Sequence, residues 1–236
     1  MIWLGIDTAN TPLSVAIVKD GELLAEENTS MAVTHSLRAM PAIEEVFAKV
    51  GMTPSEIDAI AVSEGPGSYT GVRIGVTIAK TLAWTLDKPL TGVSSLKVIA
   101  ANGLFFNGLI CPIVDARRSN VYAGAYQYTG GKLISVIEDG HYGLEQLIGL
   151  LIEHGGPTLF IGKDTAMHEA EFIERLGENA VIAPLHYNLP RASSLIYAAE
   201  QSGESEDIHT FVPEYRRISE AEANWLKEQR KEKSRD

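Results

Sequence analysis

The sequence predicts an α/β protein built from two copies of one folding unit. Each half opens with three strand-like segments and continues with alternating helices and strands. The spacing of landmarks also repeats, since Asp7 precedes the turn glycine Gly21 by 14 positions and Asp115 precedes Gly130 by 15. Alternating helices and strands are typical of a sheet with a parallel part. With 236 residues, 45% of them hydrophobic, the chain is long enough for two such units.

The first copy starts with a three-stranded meander. Its second and third strands are joined by the hairpin signal Lys19-Asp20-Gly21. Pro41, inside the following helical pattern, predicts a late start or a kink. The predicted elements are strands 2–6, 13–18 and 22–26, a helix 34–50, a capped turn 53–56, a strand 58–62, a glycine-rich loop 65–71, a helix 72–86 and a strand 90–93.

The second copy repeats the meander around the turn at Gly130-Gly131. The predicted elements are strands 110–114, 121–128 and 133–137, a helix 144–153, a strand 158–161, a helix 166–176, a strand 180–183 and a helix 193–201. We therefore expect an N-terminal subdomain at 1–103, a C-terminal subdomain at 104–218 and a charged tail helix at 219–236. A meander followed by alternating helices and strands, occurring twice, indicates the fold of actin, Hsp70-type chaperones and sugar kinases, called ASKHA.

The loops that bind nucleotide in active members of this fold are altered here. An Asp-x-Gly-x-Thr loop normally ends the first strand, because glycine lets the backbone approach a phosphate. In this chain Ala9 follows Asp7 at the glycine position. After Asp115, Arg117-Arg118 replaces the expected glycines, and Gly162 stands alone where adjacent glycines are usual. The sequence therefore predicts a degenerate nucleotide site and no cofactor bound by the chain on its own.

The two arginines leave two interpretations open. Guanidinium groups can bind phosphate in a bidentate manner, or they can belong to an exposed loop that contacts solvent or a partner. The second interpretation is favoured, and a nucleotide at the interface of an assembled complex stays an open alternative.

Other catalytic motifs do not fit the sequence. The glycine-rich loop has no P-loop lysine, and Pro66 and Thr70 stand where a nucleophile elbow around Ser68 would need glycine. A hydrolase or peptidase is therefore not favoured. His35 is followed four positions later by Ala39, so a pair of metal-binding histidines on one helical face is missing and no bound metal is predicted.

Small residues recur every four positions on the helix after the glycine-rich loop. They would lie on one face and allow close approach of a second helix: Gly71, Gly75, Ala79 and Ala83. The face predicts a docking groove for another chain, and packing against the protein's own sheet or first helix stays open as the alternative, since most helical faces serve the core.

Composition narrows the classes of partner and compartment. A net charge of −11 disfavours direct binding of nucleic acid, which depends on Lys and Arg. Cys111 lies in an apolar run and has no second cysteine to pair with. The N-terminus lacks a signal-peptide pattern, and no apolar stretch is long enough for a bilayer. These features predict a cytoplasmic protein that does not enter a membrane.

Several motifs together resemble one family. They are Gly5-Ile6-Asp7-Thr8, His35-Ser36 with Pro41, the run from Gly65 to Gly75, Gly92-Val93-Ser94-Ser95-Leu96, Asp115-Ala116-Arg117 and Pro213-Glu214-Tyr215-Arg216-Arg217. Over residues 1 to 217 the chain is similar to the TsaB family, the bacterial dimerisation subunits for synthesis of tRNA threonylcarbamoyladenosine. Its single helical histidine, missing phosphate glycines and short length separate it from the paralogous, catalytic TsaD family.

The resemblance implies a non-catalytic subunit that binds a TsaD-type subunit, which holds the catalytic metal and the substrate. A TsaE-type ATPase would join through the complex, tRNA contact would be indirect, and the chain alone would form a homodimer. The runner-up function is an ATP-dependent phosphotransferase or ATPase. The implied contacts are made by helices 36–50 and 72–86, with interface residues His35, Ala39, Met40, Ile43, Gly71, Val72, Gly75, Ala79 and Ala83.

The C-terminal end departs from the family pattern. Arg216 stands where the family has leucine. Ser219 and Glu222 have capping-box spacing, which predicts a terminal helix anchored by Trp225 and Leu226.

Overall fold

The computed structural model describes residues 1–30 and 35–214, and it contains two five-stranded sheets with the same strand order. The order is β3-β2-β1-β4-β5 in the first sheet and, read in the matching direction, β8-β7-β6-β9-β10 in the second. In both sheets the first three strands in the chain pair in antiparallel fashion, and the last two run parallel to the central strand, β1 or β6, and to each other. The predicted duplication is confirmed.

The strands lie close to their predicted positions, and the main difference is the length of β8. It continues six residues beyond the predicted end at residue 137. The strands are β1 Ile2–Asp7, β2 Leu13–Lys19, β3 Glu22–Thr29, β4 Ala59–Gly65, β5 Leu90–Ser94, β6 Leu109–Asp115, β7 Asn120–Thr129, β8 Lys132–Gly143, β9 Thr158–Ile161 and β10 Ala180–Ile182.

The helices include one that the sequence analysis missed, the short helix α3. Its N-cap is Ser94, whose hydroxyl accepts hydrogen bonds from the backbone N–H groups of Leu96 and Lys97. Pro41 lies inside α1, so the late start that it predicted is wrong. The helices are α1 His35–Val50, α2 Tyr69–Leu86, α3 Ser95–Ala100, α4 Leu144–His154, α5 Glu169–Leu176 and α6 Ala192–Ser202.

The last helix of each half packs on the sheet of the other half. Helix α3 packs on β6 and β7, where Leu96 and Ile99 join the core of the second sheet. Helix α6 packs on β1 and β2, where Leu195 and Ile196 cover a face of the first sheet. Helices α1 and α2 cover the opposite face of that sheet. The two sheets therefore enclose a shared layer formed by α3 and α6, while the division of the chain at residue 103 stays a prediction.

A carboxylate from the first half caps the N-terminus of α6. Glu26 Oε1 accepts hydrogen bonds from the backbone N–H (2.9 Å) and hydroxyl (2.7 Å) of Ser193. The hydroxyl of Ser14 accepts a hydrogen bond from the N–H of Ala192. Negative charge at a helix N-terminus is stabilising because the first N–H groups have no partner within the helix. These bonds fix α6 on a sheet formed more than 160 residues earlier in the chain.

The segment 204–214 returns along the first sheet after α6. Glu206 forms an isolated antiparallel bridge with Leu90 of the edge strand β5. Phe211 is buried in the core between the sheet and α2, and the N–H of Glu214 donates to the carbonyl oxygen of Glu64 (2.7 Å). The predicted tail helix 219–236 and Arg216 lie outside the described residues. None of the described helices is long and apolar enough to cross a membrane.

Candidate functional site

The loop after β1 is the first candidate site, and it is packed inside the protein. Asp7, Thr8 and Ala9 are all buried. One carboxylate oxygen of Asp7 accepts a hydrogen bond from the N–H of Ala9 (3.0 Å). The hydroxyl of Thr8 donates to the carbonyl oxygen of Gly71 (2.7 Å), and the carbonyl oxygen of Ala9 accepts from the N–H of Ser68 (2.7 Å). The loop therefore binds to the chain's own glycine-rich segment.

Three glycines make this contact possible. A Cβ atom at Gly67 would lie closer than 3.0 Å to the carbonyl oxygen of Ala9. A Cβ atom at Gly71 would meet the carbonyl oxygen of Thr8, and one at Gly75 would meet the Thr8 hydroxyl, again closer than 3.0 Å. Glycine at these positions is thus explained by backbone contact within the chain. We call this arrangement the glycine-loop contact.

The stripe of small residues on α2 points into the protein. Gly71 and Gly75 contact Thr8, and Ala79 and Ala83 are fully buried in the core formed with the first sheet. The neighbouring Val72 is buried in the same core. Of the two alternatives that the sequence left open, the stripe has the internal packing and does not form an exposed groove.

Of the other four predicted interface residues, two are buried and two are at least partly exposed. Ala39 and Ile43 of α1 are buried in the core. His35 is half-buried, and Met40 is 41% exposed. Among the nine residues named from the sequence, only Met40 is an exposed side chain of the kind that a docking surface needs. The contact role of these two helices stays a prediction, and it needs a different set of side chains.

Large apolar side chains are exposed on α1 and α2 outside the predicted set. Leu37 is 72% exposed and Trp84 is 70% exposed. Tyr69, at the start of α2, is 57% exposed, and its ring lies 5.0 Å from the guanidinium carbon of Arg73. We call Leu37, Met40, Tyr69 and Trp84 the exposed apolar set. The sequence analysis named Met40 as an interface residue but did not name Leu37, Tyr69 or Trp84.

Asp7 is electrostatically unusual because its carboxylate is buried. Burial raises the pKa of Asp7 above its ordinary value, and the nearby Ser63 hydroxyl, the Ala9 N–H and His35 oppose this rise without cancelling it. The second carboxylate oxygen and the Ser63 hydroxyl make no hydrogen bond of ordinary geometry within the described residues. The charged form of Asp7 is therefore disfavoured by folding.

His35 has a structural partner in the same loop. Its Nε2 atom lies 2.7 Å from the carbonyl oxygen of Asn10, which ties the first turn of α1 to the loop after β1. Within residues 1–30 and 35–214, no group of three or more His, Cys, Asp or Glu side chains is arranged to hold a metal ion.

The loop after β6 has a conformation that uses its own polar groups. Arg117, Arg118 and Ser119 all have positive φ angles, of 67°, 56° and 56°. The N–H of Arg117 donates to the Asp115 carboxylate (3.1 Å), and the side-chain amide of Asn120 donates to the carbonyl oxygens of Arg117 and Arg118. Left-handed backbone at non-glycine residues is costly, and these bonds compensate for it. The arginine side chains are exposed at the tip of a braced turn.

Gly162 also has a structural explanation. Its φ angle is +119°, and a Cβ atom there would lie 2.6 Å from the carbonyl oxygen of Ile113. Its N–H donates to the side-chain oxygen of Asn188 (3.0 Å). The adjacent Asp164 carboxylate accepts a hydrogen bond from the N–H of Asp115 (2.9 Å). The ends of β6 and β9 are therefore held together by contacts within the chain.

Sequence reasoning placed Asp7, Asp115 and Gly162 correctly at strand ends but missed Thr8 and Gly67. Thr8 contacts Gly71 from a position 63 residues away. Its only sequence signal was its place in the altered Asp7-Thr8-Ala9 loop.

Comparisons with known proteins show which sequences and structures this chain is similar to. The model of the family described as TsaD, tRNA N6-adenosine threonylcarbamoyltransferase, matches residues 22–225. The tRNA threonylcarbamoyladenosine biosynthesis protein TsaB of Bacillus subtilis (strain 168) is 44% identical over 230 residues, which cover 98% of this chain and 100% of that protein.

Solved structures show the same fold. YeaZ from Pseudomonas aeruginosa has a TM-score of 0.76 at 26% identity, covering 91% of this chain and 99% of that one. Component A of (R)-2-hydroxyglutaryl-CoA dehydratase from Acidaminococcus fermentans has a TM-score of 0.50 at 14% identity, covering 86% of this chain and 100% of that one, and this likeness concerns the fold alone. The predicted duplicated actin-like (ASKHA) fold is confirmed.

The glycine-loop contact predicts opposite effects of one substitution at two helical glycines. Gly75→Ala should lower the free energy of unfolding by about 1–3 kcal/mol, because the new methyl group overlaps Thr8. Gly149→Ala in α4 meets no atom within 4 Å and should raise it by about 0.5–1 kcal/mol. Urea unfolding of both variants measures this difference, and equal effects would contradict the contact.

The raised pKa of Asp7 predicts a pH-dependent effect of Asp7→Asn. The folded protein binds the Asp7 proton more tightly than the unfolded chain, so ionised Asp7 lowers stability at pH 7 and protonation removes this cost as the pH falls. The variant should therefore be more stable than wild type at pH 7, with the difference shrinking toward acid pH. The measurement is the free energy of unfolding of both proteins, obtained with denaturant at pH 7 and at successively lower pH values.

A matched control is Glu22→Gln, which changes an exposed carboxylate of β3 and should alter stability by less than about 0.5 kcal/mol. A variant Asp7→Asn that is less stable than wild type at pH 7 would show that the ionised carboxylate contributes favourably.

Proposed function

The chain belongs to the TsaB family, within the wider group matched by the TsaD family model, and on that premise we propose that it is a non-catalytic partner subunit in tRNA threonylcarbamoyladenosine biosynthesis. Its proposed partner is a TsaD-type catalytic subunit. A role in this biosynthesis is what the names of its relatives support. The absence of catalysis and the identity of the partner go beyond those names and are our proposal.

The glycine-loop contact is the observation that carries the proposal. In an active site of this fold, the loop after the first strand must leave room for phosphate oxygens and offer free N–H groups. Here the N–H of Ala9 is bound to Asp7, and the carbonyl groups of Thr8 and Ala9 lie against glycines of the chain itself. Opening this space would require breaking packing at the centre of the first half.

The second half supports the same interpretation. The N–H groups of Arg117 and Gly162 are bound by side chains of Asp115 and Asn188. Phosphate would have to compete with these bonds. The exposed side chains of Arg117 and Arg118 could still reach an anion from a neighbouring subunit, so a nucleotide at the interface of an assembled complex is compatible with the proposal.

The exposed apolar set is the proposed contact with the catalytic subunit. Exposed aromatic and large aliphatic side chains are typical anchors of protein interfaces. Leu37 and Met40 lie one turn apart on α1, and Trp84 lies on the outer side of α2. When the partner is missing, the same surface could bind a second copy of the chain. A TsaE-type ATPase and tRNA would then be bound mainly by the other subunits.

This proposal predicts that surface variants lose partner binding while loop variants keep it. Leu37→Asp should weaken binding of a TsaD-type protein at least about tenfold, as expected for an interface anchor. Ile152→Asp is a matched control on α4, since Ile152 is 51% exposed and lies in the second half. Calorimetric titration gives the affinities, and circular dichroism confirms that both variants are folded.

The same variants separate a scaffold from an enzyme in a reconstituted tRNA modification reaction. We expect Asp7→Asn to support modification like wild type, and Leu37→Asp to fail in proportion to its lost binding. If Asp7→Asn abolishes modification while the complex still forms, the chain contributes catalytic chemistry and the proposal is wrong.

A further inference from the structure

Asp139 on β8 lies where the two halves of the protein meet. Its two carboxylate oxygens accept hydrogen bonds from different halves: one from the hydroxyl of Ser94, at the end of β5, and one from the hydroxyl of Tyr126 on β7. Charge-assisted bonds of this kind are stronger than bonds between neutral groups. One carboxylate therefore connects the first sheet to the second.

The second sheet is shaped to accommodate this carboxylate. A Cβ atom at Gly124 on the neighbouring strand would lie closer than 3.0 Å to an oxygen of Asp139, so glycine leaves the space that the carboxylate occupies. The pairing of β7 with β8 is irregular at this point, with register shifts on either side of Ala125. Such irregularities turn side chains toward positions that a regular strand does not offer.

Tyr126 is fixed as a donor in this arrangement. The residue is only 3% exposed. Burial, together with the neighbouring charge of Asp139, raises the pKa of Tyr126 well above its usual value. Its hydroxyl therefore keeps its proton and donates to Asp139.

Ser94 extends the connection into α3. While its hydroxyl donates to Asp139, the same oxygen accepts from the N–H groups of Leu96 and Lys97 at the start of that helix. Helix α3 in turn packs on the second sheet and contacts α6. The hydrogen bonds thus run from the first sheet through Ser94 and Asp139 to the second sheet, and they also fix the N-terminus of a helix in the shared layer.

We propose that Asp139 is a latch that fixes the orientation of the two halves relative to each other, through its simultaneous bonds to Ser94 and Tyr126. The latch lies apart from the glycine-loop contact and from the exposed apolar set, and the inference does not depend on the proposed partner. It implies that the two sheets keep one relative orientation and do not rotate about the segments that join them.

The test compares Asp139→Asn with Glu138→Gln, its exposed neighbour on β8. Asparagine keeps the size of the side chain but replaces one acceptor oxygen with an NH2 donor and removes the negative charge, so one hydroxyl group loses its acceptor and the other loses a charge-assisted bond. Spin labels at Ala48→Cys in α1 and Glu153→Cys in α4 report the distance between the halves, since both positions are exposed. The natural Cys111 is buried and should not be labelled.

We expect a narrow distance distribution in the otherwise wild-type protein and in Glu138→Gln, and a broader one in Asp139→Asn. Hydrogen exchange at the amides of Leu96 and Lys97 should become about tenfold faster or more in Asp139→Asn, as expected for loss of a bond to a charged group. Unchanged distances and exchange in folded Asp139→Asn would overturn the proposal, and so would equal changes in Glu138→Gln.

If Asp139→Asn does not fold, Ser94→Gly decides the question, because it removes the hydroxyl that reaches Asp139 from the first half and glycine is tolerated at an N-cap. This variant keeps the carboxylate and Tyr126. A broader distance distribution supports the latch, and a distribution as narrow as that of wild type overturns it.

Discussion

The close packing of the loop after β1 on three glycines is the constraint on which the rest of the structure depends. Gly67, Gly71 and Gly75 let the backbone and hydroxyl of Thr8, and the carbonyl group of Ala9, come into direct contact with the start of α2. This contact sets the position of α2 on the first sheet and, through the bond between His35 and Asn10, the position of α1 as well. The surface that the two helices present outward follows from it. We propose that the same contact fills the space that a phosphate would need.

The second half has retained the architecture and changed the use of its loops in a comparable way. The turn at Arg117 is held in a left-handed conformation by Asp115 and Asn120, and Gly162 allows β9 to approach β6. Groups that could face a ligand are thus used to close strand ends. In the function that we propose, a fold that binds nucleotide in other proteins is kept for its shape and its surfaces, since function depends on sites and not on the fold.

Much of the fold followed from local patterns, because hydrophobic period, turn glycines and caps are local signals. The repeated meander and the positions of Asp7 and Asp115 at strand ends were predicted in this way. The direction in which the α2 stripe faces could not be, because it is decided by Thr8, 63 residues away. The same is true of α6, whose N-terminus is bound by Glu26 across 167 positions. Helix α3 was missed because six residues are too few to show a helical period.

The most direct test of this account is calorimetric titration of the isolated chain with Mg²⁺ and ATP. Because the glycine-loop contact fills the site after β1 and the loop after β6 binds its own polar groups, we expect no measurable heat of binding at millimolar nucleotide. Binding in the micromolar range that is lost in Asp7→Ala would contradict the account, since it would show that the loop opens to hold a phosphate and that an ATP-dependent reaction belongs to this chain.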